Sequence, residues 1–149
     1  MTPSTEDSRQ YATFRVADLF LGVEVLKVQE LIRRQEMSPV PLAPRAIEGL
    51  INLRGQIVIA IDTRRSLGLP PAEGEEDSRV NIAIRSGDSV ISLLVDEVCD
   101  VIDLPLSARA PVPENMPYEQ RQMIECVFRT KDELMLVLDT ANVFENACS

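Results

Sequence analysis

EGLINLRGQIVIAID, residues 48–62, joins two unlike stretches at one glycine. After Gly55 and Gln56, IVIAID (57–62) is a continuous apolar run rich in β-branched residues, the kind that forms a strand buried on both faces. Before it, the spacing predicts a short helix over roughly 44–51, with a proline at a favoured early position. Asn52, Leu53 and Arg54 lie between the two, so a guanidinium is held at the edge of a strongly apolar segment. An arginine there can organise a surface through its rigid fork of donors.

The flanking sequence reads as more strands. YATFRVA (11–17) alternates, with Tyr11, Thr13 and Arg15 opposite Ala12, Phe14 and Val16, and FLGVEV (20–25) resumes after Asp18 as the second arm of a hairpin. VLKVQELIRR (25–34) fits either period; SPVPLAP (38–44) follows at once, which favours a short turn leading into a strand. TRRSLGL makes one helical turn that stops at Gly68, and PPAEGEED (70–77) is a loop. VNIAIRS and VISLLVDEVCDVIDL form a hairpin about Gly87 and Asp88, its second strand unusually long. A proline-rich crossing, PLSARAPVPENMP, leads to QMIECVF, a turn at 130–133, LMLVLD and a short helix near 140–147. Eight to ten short strands result, with a loose echo between halves: hairpin, proline crossing, apolar strand. Closed barrels are a natural solution, because they remove exposed sheet edges.

Composition narrows the function. Of 149 residues, 45% are hydrophobic and 26% charged, as in a folded globular chain, while aromatics at 4% imply an aliphatic core. The net charge of -9 falls mostly after Glu75 and disfavours nucleic acid or an anionic membrane surface as partner. No apolar run reaches about 18 residues, and the polar start MTPSTEDSRQ has no signal-peptide core, so neither membrane insertion nor export is expected. Three cysteines without a CxxC pair suit a reducing, cytoplasmic setting; Cys99 and Cys126 read as core residues and Cys148 as an exposed thiol.

Catalytic machinery is hard to assemble from these residues. Histidine is absent, which removes Ser-His and Cys-His catalysis, and no glycine-rich phosphate loop can be written. No cofactor or metal is expected. One alternative remains, a Mg²⁺-dependent enzyme using Asp96, Asp100 and Asp103 in VDEVCDVID, with no nucleophile or cationic clamp to accompany them. Lys27 reads as a surface partner of Glu24 and Glu30. Binding surfaces are the better expectation. Val28, Leu31 and Ile32 around Glu30, Leu53 between Asn52 and Arg54, and Val98 with Val101 could together form an apolar groove with one acid and one arginine.

FLGVEVLKVQEL (20–31), IEGLINLRGQIVIAID (47–62), VISLLVDEVCDV (90–101) and MLVLD (135–139) together resemble the CheW family, the coupling proteins of bacterial chemotaxis arrays. The resemblance covers about residues 10–147. It implies a mainly β fold of two small five-stranded SH3-like barrels, related by a pseudo-two-fold axis and packed on a shared aliphatic core, with few short helices. The domain would span 11–147, between a flexible tail at 1–10 and a short tail at 148–149. It further implies a non-catalytic cytoplasmic adaptor that binds the regulatory domain of the chemotaxis histidine kinase and the cytoplasmic tip of methyl-accepting receptors. A coupling protein of a non-flagellar chemosensory pathway, such as one for type IV pili, fits equally. Carried over by motif, Val28, Glu30, Leu31 and Val98 would face the receptor tip, with Asn52, Leu53 and Arg54 beside them. Arg54 would orient Glu30 or the receptor tip itself. The chain departs from the family before its last hairpin, where QMIECVFR and the 130–133 turn replace a glycine-rich stretch. Kinase-contact residues are not assigned.

Overall fold

A computed structural model describes residues 8–33, 36–71 and 79–148; most of the 70–77 loop and residues 1–7 lie outside the described residues. Strands β1 (Ser8–Val16) and β2 (Leu19–Glu24) form the first hairpin, whose pairing places Phe14 opposite Leu21. β1 begins inside the stretch expected as a tail. A 3-10 turn at Val25–Lys27 then delivers β3 (Val28–Ile32), as the sequence predicted, but β3 does not pair with its own hairpin. It pairs antiparallel with β6 (Val80–Ser86), in a second sheet with β7 (Ser89–Val95), β5 (Gln56–Asp62) and β4 (Ile47–Leu53). The exchange is reciprocal. β8 (Glu97–Pro105) follows the β6–β7 hairpin and crosses to pair with β1. The first sheet is completed by β11 (Leu134–Leu138), β10 (Ile124–Arg129) and the two-residue β9 (Arg109–Ala110).

Each sheet curls toward closure through its own connections. The edge strands of the first sheet, β8 and β9, are joined by one 3-10 turn, Leu106–Ala108; those of the second, β3 and β4, follow one another in the chain. A bridge from Ser38 to Leu50 covers the β4 edge. Each sheet has one parallel contact, β2 with β11 and β5 with β7. Each ends in an aspartate-capped helix: Asp62 accepts from the Arg64 and Arg65 N–H groups of α1 (Thr63–Ser66), and Asp139 from Asn142 of α3 (Thr140–Ala147). Between them in sequence lies α2 (Tyr118–Met123). The fold is therefore mainly β, with two barrel-like halves of matching topology; the sixth strand of the first is only the short β9.

The core divides in three. Tyr11, Cys126, Phe128, Met135 and Val137 fill the first barrel, and Ile51, Leu53, Val58, Ala60 and Ala83 fill the second. The largest cluster lies between them and draws Phe14, Val16, Leu21 and Val23 from one barrel and Ile61, Ile82, Ile84, Ile91 and Leu93 from the other.

Four expectations are corrected. Residues 47–53 form a strand instead of the end of a helix: Gly49, Ile51 and Leu53 are buried in alternation, and a Cβ at Gly49 would lie 2.9 Å from the Ser38 carbonyl oxygen. Tertiary pairing overrides the proline signal. The long strand after Gly87 breaks at Asp96 into β7 and β8, which belong to different barrels. Within IVIAID, Ile57 is 62% exposed, so only the later part of β5 is buried on both faces. Eleven strands, against eight to ten expected, occur among the described residues.

Because both barrels contribute to one cluster, they are expected to unfold together. Truncating Phe14, which is fully buried in that cluster, to alanine should cost about 3–5 kcal/mol. Native-state amide exchange should accelerate in β5 and β6 of the other barrel as well as in β1. Acceleration confined to the first barrel would contradict the shared-core account.

Candidate partner-binding groove

The two exchanged strands each carry a bulge, which decides which residues share a face. In β3, Val28 lies opposite Ile84 and Leu31 opposite Ile82, so residues three apart share a face. Both partners belong to the inter-barrel core, and directly opposed residues point to the same side of a sheet. In β8, Val98 lies opposite Phe14 and Val101 opposite Ala12, again with an irregularity between. Val28 and Val98 pack on the core edge; Leu31 and Val101 continue outward, 52% and 54% exposed. The two strands thus offer matching aliphatic rails. Leu26, in the turn before β3, is 87% exposed. It borders an open depression of about 590 Å³ that Arg9, Glu24 and Asp103 also line.

Arg54 stands at the tip of the β4–β5 hairpin. Arg54 and Gly55 form its two-residue turn with φ of 54° and 87°, the left-handed pair that a primed turn requires. Asn52 secures the turn, its Oδ1 accepting from the Gly55 N–H at 2.8 Å. The Arg54 Nε–H donates to Glu30 Oε1 at 3.0 Å, tying this tip to edge strand β3. Arg54 stays largely exposed while Glu30 is half-buried. Of the two roles the sequence left open for Arg54, the contact with Glu30 is the one present within the chain. Lys27 is not the partner of these acids: Glu24 is paired with Arg9 at 3.0 Å, and Glu30 with Arg54.

Leu53 is corrected as a site residue. It is 5% exposed inside the second barrel, closed off from any partner at the surface. Strand alternation puts Asn52 outward and Leu53 inward, and Arg54 lies beyond the strand in the exposed turn.

The carboxylates expected for the Mg²⁺ alternative do not converge. Asp96 accepts from the Ala17 N–H at 2.7 Å and from Arg64 Nη2 at 2.7 Å, with Arg64 Nε at 3.2–3.3 Å. Asp100 offers its main-chain carbonyl to the Thr13 hydroxyl, and Asp103 lies opposite Gln10 near the far end of β8. Among the described residues no group of three or more acids, histidines or cysteines is placed to hold a metal ion. Burial pushes the Asp96 carboxyl up, but the Arg64 and Ala17 hydrogen bonds and the charges of Arg64 and Arg79 outweigh it, leaving it below the usual range. Burial also raises the Cys126 thiol, with Glu125 adding to it, and the half-buried Cys99, with Glu97 adding to it; Cys148 is exposed.

Two further charge contacts escaped the sequence reading. Arg64 follows the cap Asp62 by two residues, where it reads as an exposed helix residue. Arg15 grips the Glu133 carboxylate and lies 4.9 Å from the centre of the Phe20 ring. Glu133 closes the glycine-free 130–133 turn, its carbonyl accepting from the Thr130 N–H at 2.9 Å and its own N–H donating to the Thr130 hydroxyl.

Two tests follow from this geometry. Replacing Arg54 by asparagine removes an exposed ion pair worth about 0.2–1 kcal/mol and relieves a left-handed strain of about 1 kcal/mol. Thermal stability should therefore change little while the Glu30 side chain becomes mobile, which side-chain NMR would detect. For Asp96 the depressed carboxyl means that the unfolded chain binds more protons just below the normal carboxylate pKa of about 3.9. Its contribution is complete above that value and is lost as pH falls through the lower, folded-state value. In urea titrations from pH 6 to pH 2, Asp96→Asn should lose less stability than wild type over that acid range.

Residues 10–148 match the family model described as the CheW-like domain. The chemotaxis protein CheW of Bacillus subtilis is 28% identical over 100% of this chain and 95% of its own length. That of Rhizobium meliloti is 28% identical over 94% of this chain and 90% of its own. The crystal structure of a CheW scaffolding protein from Thermoanaerobacter tengcongensis superposes with a TM-score of 0.84, covering 93% of this chain and 94% of that one at 24% identity. Order, spacing and architecture agree over nearly the whole length, and the chain belongs to the CheW-like domain family.

Proposed function

We propose that this chain is a non-catalytic cytoplasmic adaptor that couples methyl-accepting chemotaxis receptors to the chemotaxis histidine kinase. It would be recruited to receptor arrays at the inner face of the membrane. The observation that carries the reading is the pair of aliphatic rails, Val28–Leu31 on β3 and Val98–Val101 on β8, with Leu31 and Val101 about half exposed. Exposed apolar residues continuous with a core edge and flanked by a fixed acid and arginine suit a helix that lays an apolar stripe into a groove. The receptor tip occupies this groove in our reading. The kinase regulatory domain engages a different face, so both can be held at once. Arg54 sets the orientation of Glu30 toward the receptor, and Asn52 keeps the hairpin tip in shape.

The test is binding of a receptor-tip fragment and of a kinase regulatory domain, measured separately by calorimetry with a cognate pair. Leu31→Asp and Arg54→Glu should each weaken receptor-tip binding about tenfold or more while leaving kinase-domain binding unchanged. Wild-type protein that binds neither partner would overturn the adaptor reading. Variants that lose the kinase domain and keep the receptor tip would reverse the assignment of the groove.

A further inference from the structure

The two exchanged strands are related by a gap-free correspondence, and one of the places where the chain breaks it lies between the barrels. Counting from the two hairpin turns, residues 16–31 correspond one for one with 86–101. The pairs Val28–Ile84 and Leu31–Ile82 recur as Val98–Phe14 and Val101–Ala12, each shifted by the same number of residues. By the same count Asp96 corresponds to Leu26. From the two caps, Asp62 and Asp139, Arg64 corresponds to Ala141. One end of the pseudo-symmetric body thus has an acid and a guanidinium where the other has an 87% exposed leucine and an alanine.

The acid and the guanidinium meet across the barrels. Asp96 sits where the chain leaves β7 of the second barrel for β8 of the first. Its N–H donates to the Arg15 carbonyl at 3.0 Å, and its carboxylate accepts from Ala17 in the β1–β2 turn, both in the first barrel. Arg64 belongs to α1, which is anchored to the second barrel by the buried cap Asp62; Asp62 is itself approached by Arg65 and Arg79 at 3.5 Å. The remaining arm of Arg64, Nη1, donates to the Pro70 carbonyl at 3.0 Å, so the guanidinium is held from both sides. The Asp96 and Arg64 side chains are only 23% and 17% exposed.

We infer that Asp96 and Arg64 are positioning residues for the groove, a one-sided latch that fixes the β8 rail of the first barrel against the β3 rail of the second. The inter-barrel core resists separation, but apolar contact is non-directional. A multiply hydrogen-bonded ion pair has fixed geometry and supplies the orientation. Val98 lies two residues beyond Asp96, so it moves first if the latch opens. The part of this inference that concerns a docked partner rests on the function proposed above.

The experiment has two readouts on the full chain. Amide residual dipolar couplings report the relative orientation of the barrels whatever the partner. Wild-type couplings from both barrels should fit one alignment tensor, whereas Asp96→Asn and Arg64→Ala should keep each barrel's internal fit and need a second, rotated tensor. Arg64→Lys keeps the charge without the fork and serves the same purpose should either variant fail to fold. In the second readout, the same variants should bind the receptor-tip fragment about tenfold more weakly and the kinase domain within about twofold of wild type. The double variant should be no weaker than the weaker single one, since the two residues act as one unit. A single wild-type tensor in every variant overturns the latch. Rotated barrels with unchanged receptor binding overturn its role at the groove. Rotated barrels in a protein that never binds the receptor tip overturn the function proposed above and leave the latch standing.

Discussion

Everything in this molecule depends on the burial of aliphatic surface between two barrels that exchange a strand with one another. Neither barrel is large enough to stabilise itself: the interior clusters of Tyr11, Cys126, Phe128, Met135 and Val137, and of Ile51, Leu53, Val58, Ala60 and Ala83, are small. The inter-barrel cluster built around Phe14, Leu21, Ile82, Ile84, Ile91 and Leu93 supplies the main apolar burial. Exchange of β3 and β8 makes it unavoidable, because each barrel is closed by a strand that enters from the other's hairpin. Burial of this kind is strong and non-directional. The Asp96–Arg64 hydrogen bonds at the rim have the fixed geometry that such burial lacks.

The exposed aliphatic edges of β3 and β8 are a by-product of that exchange. A strand that leaves one barrel for the other runs along the border of the shared core, so its core-facing residues are covered at one end and open at the other. Bulges place residues three apart on that face, which is why Val28 and Leu31 share a side and Val98 and Val101 likewise. Glu30, on the other face of β3, is left to the hairpin tip at Arg54. The arginine beside IVIAID is therefore neither core nor a stray rim charge. It spans from a strained turn to an edge strand.

Much of this was legible in the residues. The hairpin about Asp18, the turn into β3 and the single turn at TRRS follow from alternation, proline placement and the stop at Gly68, and the terminal helix lies where it is expected. The mainly β, two-barrel architecture came from the combination of short strands with a family resemblance. Other features are invisible to local pattern. The helix expected over 44–51 fails because Gly49 lets the Ser38 backbone approach, a contact formed only after folding. VISLLVDEVCDVIDL looks like one strand because nothing in its run of apolar residues marks Asp96 as the crossing between barrels. Leu53 shares a motif with Asn52 and Arg54 but not their face. The internal repeat stayed a loose echo because its halves share spacing more than identity, and only the strand register makes the correspondence plain.

The central claim is that two different faces serve two partners at once. The most direct measurement is analytical ultracentrifugation of this protein with a receptor-tip fragment and a kinase regulatory domain, alone, pairwise and together. The account predicts a species containing all three components, heavier than either pairwise complex. Partners that displace one another, so that no ternary species sediments, would contradict it.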